Sequence, residues 1–169
     1  MSGEIVNRVA NSKLMTIDLE DLYPKGERVL FDISDWLFEG FVLKEKDFRE
    51  KALEHDWESY HGKYVAMHCS TDAIIPSWAY LLLATYLQGH ANKVITGDLE
   101  LLENLIFQEV LNELPLESYK NKPVIIKGCS ELPVPPTAYV TITSLLIPLV
   151  SSLMFGEACS TVPIYKKRR

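Results

Sequence analysis

The apolar and polar positions of the chain fall into runs of two kinds that alternate. Short apolar runs read as strands: residues 13–19 (KLMTIDL), 28–33 (RVLFDI), 63–69 (KYVAMHC), 93–98 (KVITGD) and 122–129 (KPVIIKGC). Longer runs between them read as helices. Residues 44–56 place Phe48, Ala52 and Leu53 at helical spacing in an otherwise charged segment. Residues 76–89 open on Pro76 and stop at Gly89. Residues 99–114 follow Asp98, a good N-cap, and end before Pro115. Residues 136–156 predict a fourth helix, long and apolar, kinked at Pro148. After Gly40, residues 41–43 (FVL) predict a hairpin partner for 28–33. "VPIYKK", with Pro163, predicts a final edge strand.

Strands alternating with helices of this length indicate βαβ units. The expected fold is α/β (or α+β): a central mixed, largely parallel sheet flanked by helices, with an antiparallel N-terminal section. With 169 residues, no linker and no low-complexity stretch, the chain reads as a single globular domain over 1–169. The element order is also similar to the small sulfate-transporter/anti-sigma-antagonist fold.

Composition narrows the function. The 47% hydrophobic and 24% charged fractions fit a packed globular chain and exclude a disordered one. A net charge of −6 argues against nucleic acid as a partner, and the "KKRR" end reads as a solvated tail. No secretory signal pattern opens the chain and the cysteine count is odd, so reduced thiols in the cytoplasm are expected. Residues 132–156 carry no charge and are long enough to cross a bilayer, but their four prolines predict a buried helix and no membrane partner. Residues 73–92 are uncharged as well. Two such helices need burial on most sides, which predicts a homodimer.

The candidate chemistry lies in three cysteines, each followed by serine: Cys69, Cys129 and Cys159. Sites in parallel α/β sheets form beyond the carboxyl ends of the strands. Cys69 and Cys129 end predicted strands there, as does Asp98. Cys159 joins them only if the chain reverses after residue 156. Three thiolates can hold zinc, an iron–sulfur cluster or copper(I), with Asp98 or His68 as a fourth ligand. His68 is the poorer one, because neighbours on a strand point to opposite faces. No C-x-x-C pair supports the metal reading. Buried structural cysteines and thiol chemistry stay open beside it. The acidic set Asp18, Glu20, Asp21, Asp32, Asp35 and Glu39 reads as a solvated face. His55, His61 and His90 read as surface or capping residues. The aromatics Trp36, Phe38, Phe41, Trp57, Trp78 and Tyr80 read as core. No phosphate-binding glycine motif or hydrolase elbow occurs, so neither cofactor-binding nor catalytic residues are assigned.

Four stretches together carry a family resemblance: VNRVANSKLMTIDLEDLYPKGERVLFDISDWLFEGFVLKEKDFR, CSTDAIIPSWAY, KGCSELPVP and SLMFGEACSTVPIYKK. They are similar to an uncharacterised bacterial family, domain of unknown function twenty-four-eighty, over essentially the whole chain. The resemblance implies no reaction. It does imply an association with iron–sulfur cluster assembly, which makes the assembly proteins candidate partners and favours the cysteines as ligands. The functional expectation is therefore a metal- or iron–sulfur-binding accessory protein. The alternatives are a non-catalytic dimeric interaction module with structurally buried cysteines, and a thiol-dependent enzyme.

Overall fold

The computed structural model describes residues 14–128 and 131–168. The chain runs β1 (Met15–Asp18), β2 (Arg28–Asp32), α1 (Glu45–Glu54), β3 (Tyr64–His68), α2 (Ser77–Leu87), β4 (Lys93–Thr96), α3 (Leu99–Asn112), β5 (Pro123–Lys127), α4 (Pro136–Leu146), β6 (Ser152–Glu157) and β7 (Ser160–Lys166). Short 3-10 turns at Trp57–Tyr60 and Leu116–Tyr119 lead into β3 and β5. The strands form two sheets, β1-β5-β6-β7 and β2-β3-β4. Every pairing is parallel except β6 with β7. The fold is α/β with a largely parallel mixed sheet, as the strand–helix rhythm predicts.

Three local expectations need correction. The antiparallel section is the C-terminal pair β6–β7; β1 and β2 each take a parallel neighbour from later in the chain. Residues 41–43 do not pair with β2. Glu39 and Gly40 both have positive φ, and this tight turn folds Val42 back onto Phe38 in an isolated bridge. The helix expected over residues 136–156 stops at Leu146, and residues 152–157 form β6 instead. Pro148 falls in the turn between them, where a residue without an amide proton cannot continue the helix.

The chain divides into two compact units: residues 1–24 with 104–169 (unit 1), and 25–103 (unit 2). The two are built alike. Trp57-Glu58-Ser59-Tyr60 corresponds to Leu116-Glu117-Ser118-Tyr119, and in each the serine hydroxyl donates to the carbonyl three residues back, at 2.7 and 2.8 Å. At the same offset, Gly62 corresponds to Asn121, and both hold the left-handed conformation that glycine and asparagine tolerate best. The buried stripe Ala79, Leu83, Leu87 of α2 corresponds to Ala138, Ile142, Leu146 of α4. Phe48 and Ala52 of α1 correspond to Phe107 and Leu111 of α3. The leading strands match as well: residues 17–26 (IDLEDLYPKG) repeat as 31–40 (FDISDWLFEG).

Each unit has its own core. In unit 1, Ile17, Phe107, Val124, Ile126, Ile142 and Leu153 pack together. Here Gly128 directly follows β5, where the Tyr139 hydroxyl closes in: a Cβ at Gly128 would lie 2.8 Å from it. The two uncharged helices bury one stripe each, and Leu81 of α2 and Val140 of α4 face outward. Among the described residues no helix is long and apolar enough to cross a membrane.

The core of unit 2 is aromatic. Phe31 stacks on Trp57, Trp57 on Tyr86, and Trp36 meets Phe48 edge-on. His55 caps α1 through its backbone, as expected of a capping residue, but its ring enters this cluster. It lies 4.6 Å from the Trp57 centroid, with Nε2 3.0 Å from the Tyr60 hydroxyl. Burial lowers the imidazole pKa, and the charge of Asp56 opposes this weakly. The folded state thus favours neutral His55, so its contribution is complete above the unfolded value near 6.5 and fades as pH falls below it. Thermal melts at pH 7.5 and 5.0 are expected to show a drop in Tm on acidification, and the drop should shrink in His55→Phe. An equal drop in both proteins would assign the effect to other groups.

Candidate functional site

Parallel strands place their carboxyl ends on one edge, and each unit gathers polar groups there. In unit 2, β2 ends at Asp32 and β3 at His68, side by side in register. One Asp32 oxygen accepts the backbone N–H groups of Ser34 and Ser70, at 2.9 and 3.1 Å. Its other oxygen is 3.7 Å from His68 Nε2. Burial alone would raise the Asp32 pKa, but the hydrogen bonds from Ser70 and Ser34 outweigh it and hold the carboxyl well below the usual range. The Ser34 and Ser70 hydroxyls lie 2.9 Å apart.

Unit 1 carries the corresponding set. Asp18 ends β1, Lys127 ends β5 and Glu157 ends β6. Lys127 Nζ is 2.8 Å from Asp18 and 3.7 Å from Glu157. Asp18 also accepts the Glu20 amide at 3.0 Å. The Lys127 hydrogen bond lowers the Asp18 pKa against the opposing effect of burial, and Asp18 in turn raises that of Lys127. Asp18 and Asp32 thus hold one structural position, Lys127 and His68 a second, Glu157 and Asp98 a third. Of these groups, Asp98 and His68 were weighed in the sequence as ligands and Asp18 and Asp32 were read as part of a solvated face; Lys127 and Glu157 were missed. Comparing residues 17–26 with 31–40 would have shown that the two aspartates hold equivalent positions.

The sequence-predicted ligands are distributed between the units. Cys69 follows β3 in unit 2, half-buried, with its sulfur 3.4 Å from the Thr71 hydroxyl. That hydroxyl donates to the Gly40 carbonyl at 2.8 Å. Burial, and then the nearby Cys69, raise the pKa of Tyr80. Asp98 lies on the same edge after β4, where its carboxylate accepts the Leu101 amide at 2.7 Å as the N-cap of α3. Cys159 is exposed in the β6–β7 turn of unit 1. The chain does reverse there, and β6 carries it to the edge where β5 ends. Cys129, directly after Gly128, lies outside the described residues. Among the described residues no group of three or more His, Cys, Asp or Glu side chains could hold a metal ion.

One further feature adjoins Cys69. The loops after β2 and β3 expose Ile74 (92%), Phe41 (63%), Val42 (52%) and Phe38 (45%). Phe38 and Phe41 are therefore surface residues and not core. Phe41, Val42, Ile74 and Pro76 line a concavity of about 390 Å³ with Asp72 at its rim. Lys44 covers the Phe38 ring at 3.1 Å.

A model of the family described as "Protein of unknown function (DUF2480)" matches residues 3–167. No curated protein and no solved structure matches the chain.

Proposed function

Starting from the premise that the chain belongs to the DUF2480 family, we propose that it is a non-catalytic interaction module. It would engage a protein segment through the loops after β2 and β3. One observation carries this reading: three large apolar side chains, Phe41, Val42 and Ile74, stand exposed around a single concavity at the edge where an α/β protein binds its ligands. The polar groups beside them are already committed. Asp32 caps two backbone amides, Asp98 caps α3, and Thr71 holds the loop containing Gly40. They build the loops that present the apolar residues. Cys69 is part of this architecture, turned towards Thr71. Exposed Asp72, which lines the concavity, and Glu39, in the turn between Phe38 and Val42, favour a segment with apolar side chains beside basic groups. We place the module in the cytoplasm, in keeping with Cys69 and Cys159 as free thiols.

The test is a pair of peptides of equal apolar content, one basic and one acidic, titrated into the labelled protein. The basic peptide is expected to shift the amide resonances of residues 38–43 and 70–75, and Ile74→Asp to weaken binding at least tenfold. Shifts from neither peptide would overturn the reading. So would about one equivalent of zinc or iron per purified chain that is lost on replacing Cys69, which would restore the metal site.

A further inference from the structure

The β6–β7 hairpin has no counterpart in the described part of unit 2. After Gly97 and Asp98 the chain enters α3, whereas after Gly156 and Glu157 it turns back as β7. β7 lies at the end of its sheet, beyond β6. One face of the hairpin is set by Leu153 opposite Tyr165 and Phe155 opposite Val162. Leu153 is buried in the core and Phe155 meets Tyr139 of α4 edge-on at 5.8 Å, so this is the α4 side. Phe155, Val162 and Ile164 are nevertheless exposed. A groove of about 350 Å³, lined by Tyr139, Thr143, Phe155 and Ile164 among others, runs between α4 and the hairpin.

We propose that this groove and hairpin face pair with a second copy of the chain about a two-fold axis through the middle of the hairpin. The occupant follows from the layout of charge. The turn end of the hairpin carries Glu157, with Asp18 beside it around a single Lys127. The open end carries exposed Lys167 and Arg168, with Lys167 two residues after Tyr165 and so on the same side, while Lys166, opposite Ser152, belongs to the other face. The middle is apolar. A two-fold axis at the middle lays the acidic end of one copy against the basic end of the other, twice, with the apolar residues facing each other. Pairing along the free edge of β7 is disfavoured instead, because Pro163 and Lys166 are residues that guard edges.

The surface also sets the strength. Strands of six and seven residues are roughly 20 Å long at ~3.3 Å per residue. Even with α4 beside it, such a face falls below the ~800 Å² per partner of a standard interface. The dimer is a reversible one with a Kd in the micromolar range. It does not depend on the loop surface of unit 2.

Sedimentation velocity from about 1 to 500 µM tests it. The dimer fraction should rise with concentration and fall with added salt. Val162→Asp, at an exposed position, should leave a monomer throughout. Glu157→Lys alone should weaken association about tenfold, and Glu157→Lys with Lys167→Glu should restore it. A native chain that is monomeric at 500 µM, or a dimer indifferent to Val162→Asp, overturns the proposal. A double variant as weak as the single one overturns the two-fold arrangement.

Discussion

Phe107→Ala is expected to lower the unfolding free energy by about 3–5 kcal/mol, and Phe48→Ala by a similar amount. Both rings are fully buried, and they hold corresponding positions in α3 and α1. Phe107 packs with Tyr23 at 5.8 Å, and Phe48 lies between Trp36 and Trp78 at 5.3 and 5.7 Å. Truncation removes the transfer free energy of a ring and leaves a cavity that rigid neighbours fill only in part. Phe48, walled by two indoles, should fall at the upper end. Urea titration followed by tryptophan fluorescence and by circular dichroism measures both. Our proposal of a single domain over 1–169 adds a condition: the two probes should report one coincident transition in each variant. A second transition, moved by Phe107→Ala and not by Phe48→Ala, would show the two units unfolding separately.

Glu103→Ala is expected to cost about 2–3 kcal/mol, the low end for breaking a buried ion pair because both partners keep some contact with water. Arg28 meets Glu103 through two bonds of 2.9 Å, with side chains only 12% and 13% exposed. The guanidinium also donates to the Gly26 carbonyl at 2.7 Å and lies 4.8 Å from the Tyr64 centroid. Removing the carboxylate leaves a largely buried cation short of its strongest acceptor. Glu103→Gln keeps an acceptor of the same shape and should cost about half as much. Replacing both members, Arg28→Met with Glu103→Leu, should stay within ~1 kcal/mol of the native chain. A double variant as unstable as Glu103→Ala would show that the penalty is lost packing and not a stranded charge.

How much was legible in the sequence depended on whether polarity changed where structure changed. The stop of α2 is announced by Gly89 and His90, and the start of α3 by Asp98, which caps it. Residues 132–156 offer no such change. The passage from α4 to β6 crosses only uncharged residues, so a helix pattern ran through it with Pro148 as the sole interruption. Aligning the chain with itself supplies the missing stop, since "KVITGD" of β4 corresponds to "SLMFGE" of β6. The site was harder to read for a different reason. The repeated Cys-Ser drew attention to thiols, whereas the repeated positions that the described structure presents at the strand ends are a carboxylate beside a nitrogen side chain: Asp18 with Lys127, and Asp32 with His68. These pairs are far apart in the chain and become visible only when register is known. Exposure of Phe38 and Phe41 was invisible for a third reason, because it follows from the reversal at Glu39 and Gly40 rather than from residue type.

The division of unit 1 around unit 2 has a consequence for biosynthesis. β1 pairs with β5, and the chain between them contains the whole of unit 2. A nascent chain therefore completes residues 25–103 and can close that core while β1 still waits for its neighbour. Only after α3 and β5 have emerged can Met15 find Val124 across the sheet. Closing so long a loop is slow compared with local helix formation. During that interval Ile17 and Leu19, both buried in the finished protein, remain uncovered. The first strand of the described residues is thus among the last to be paired, and it is a segment to which a chaperone would have long access.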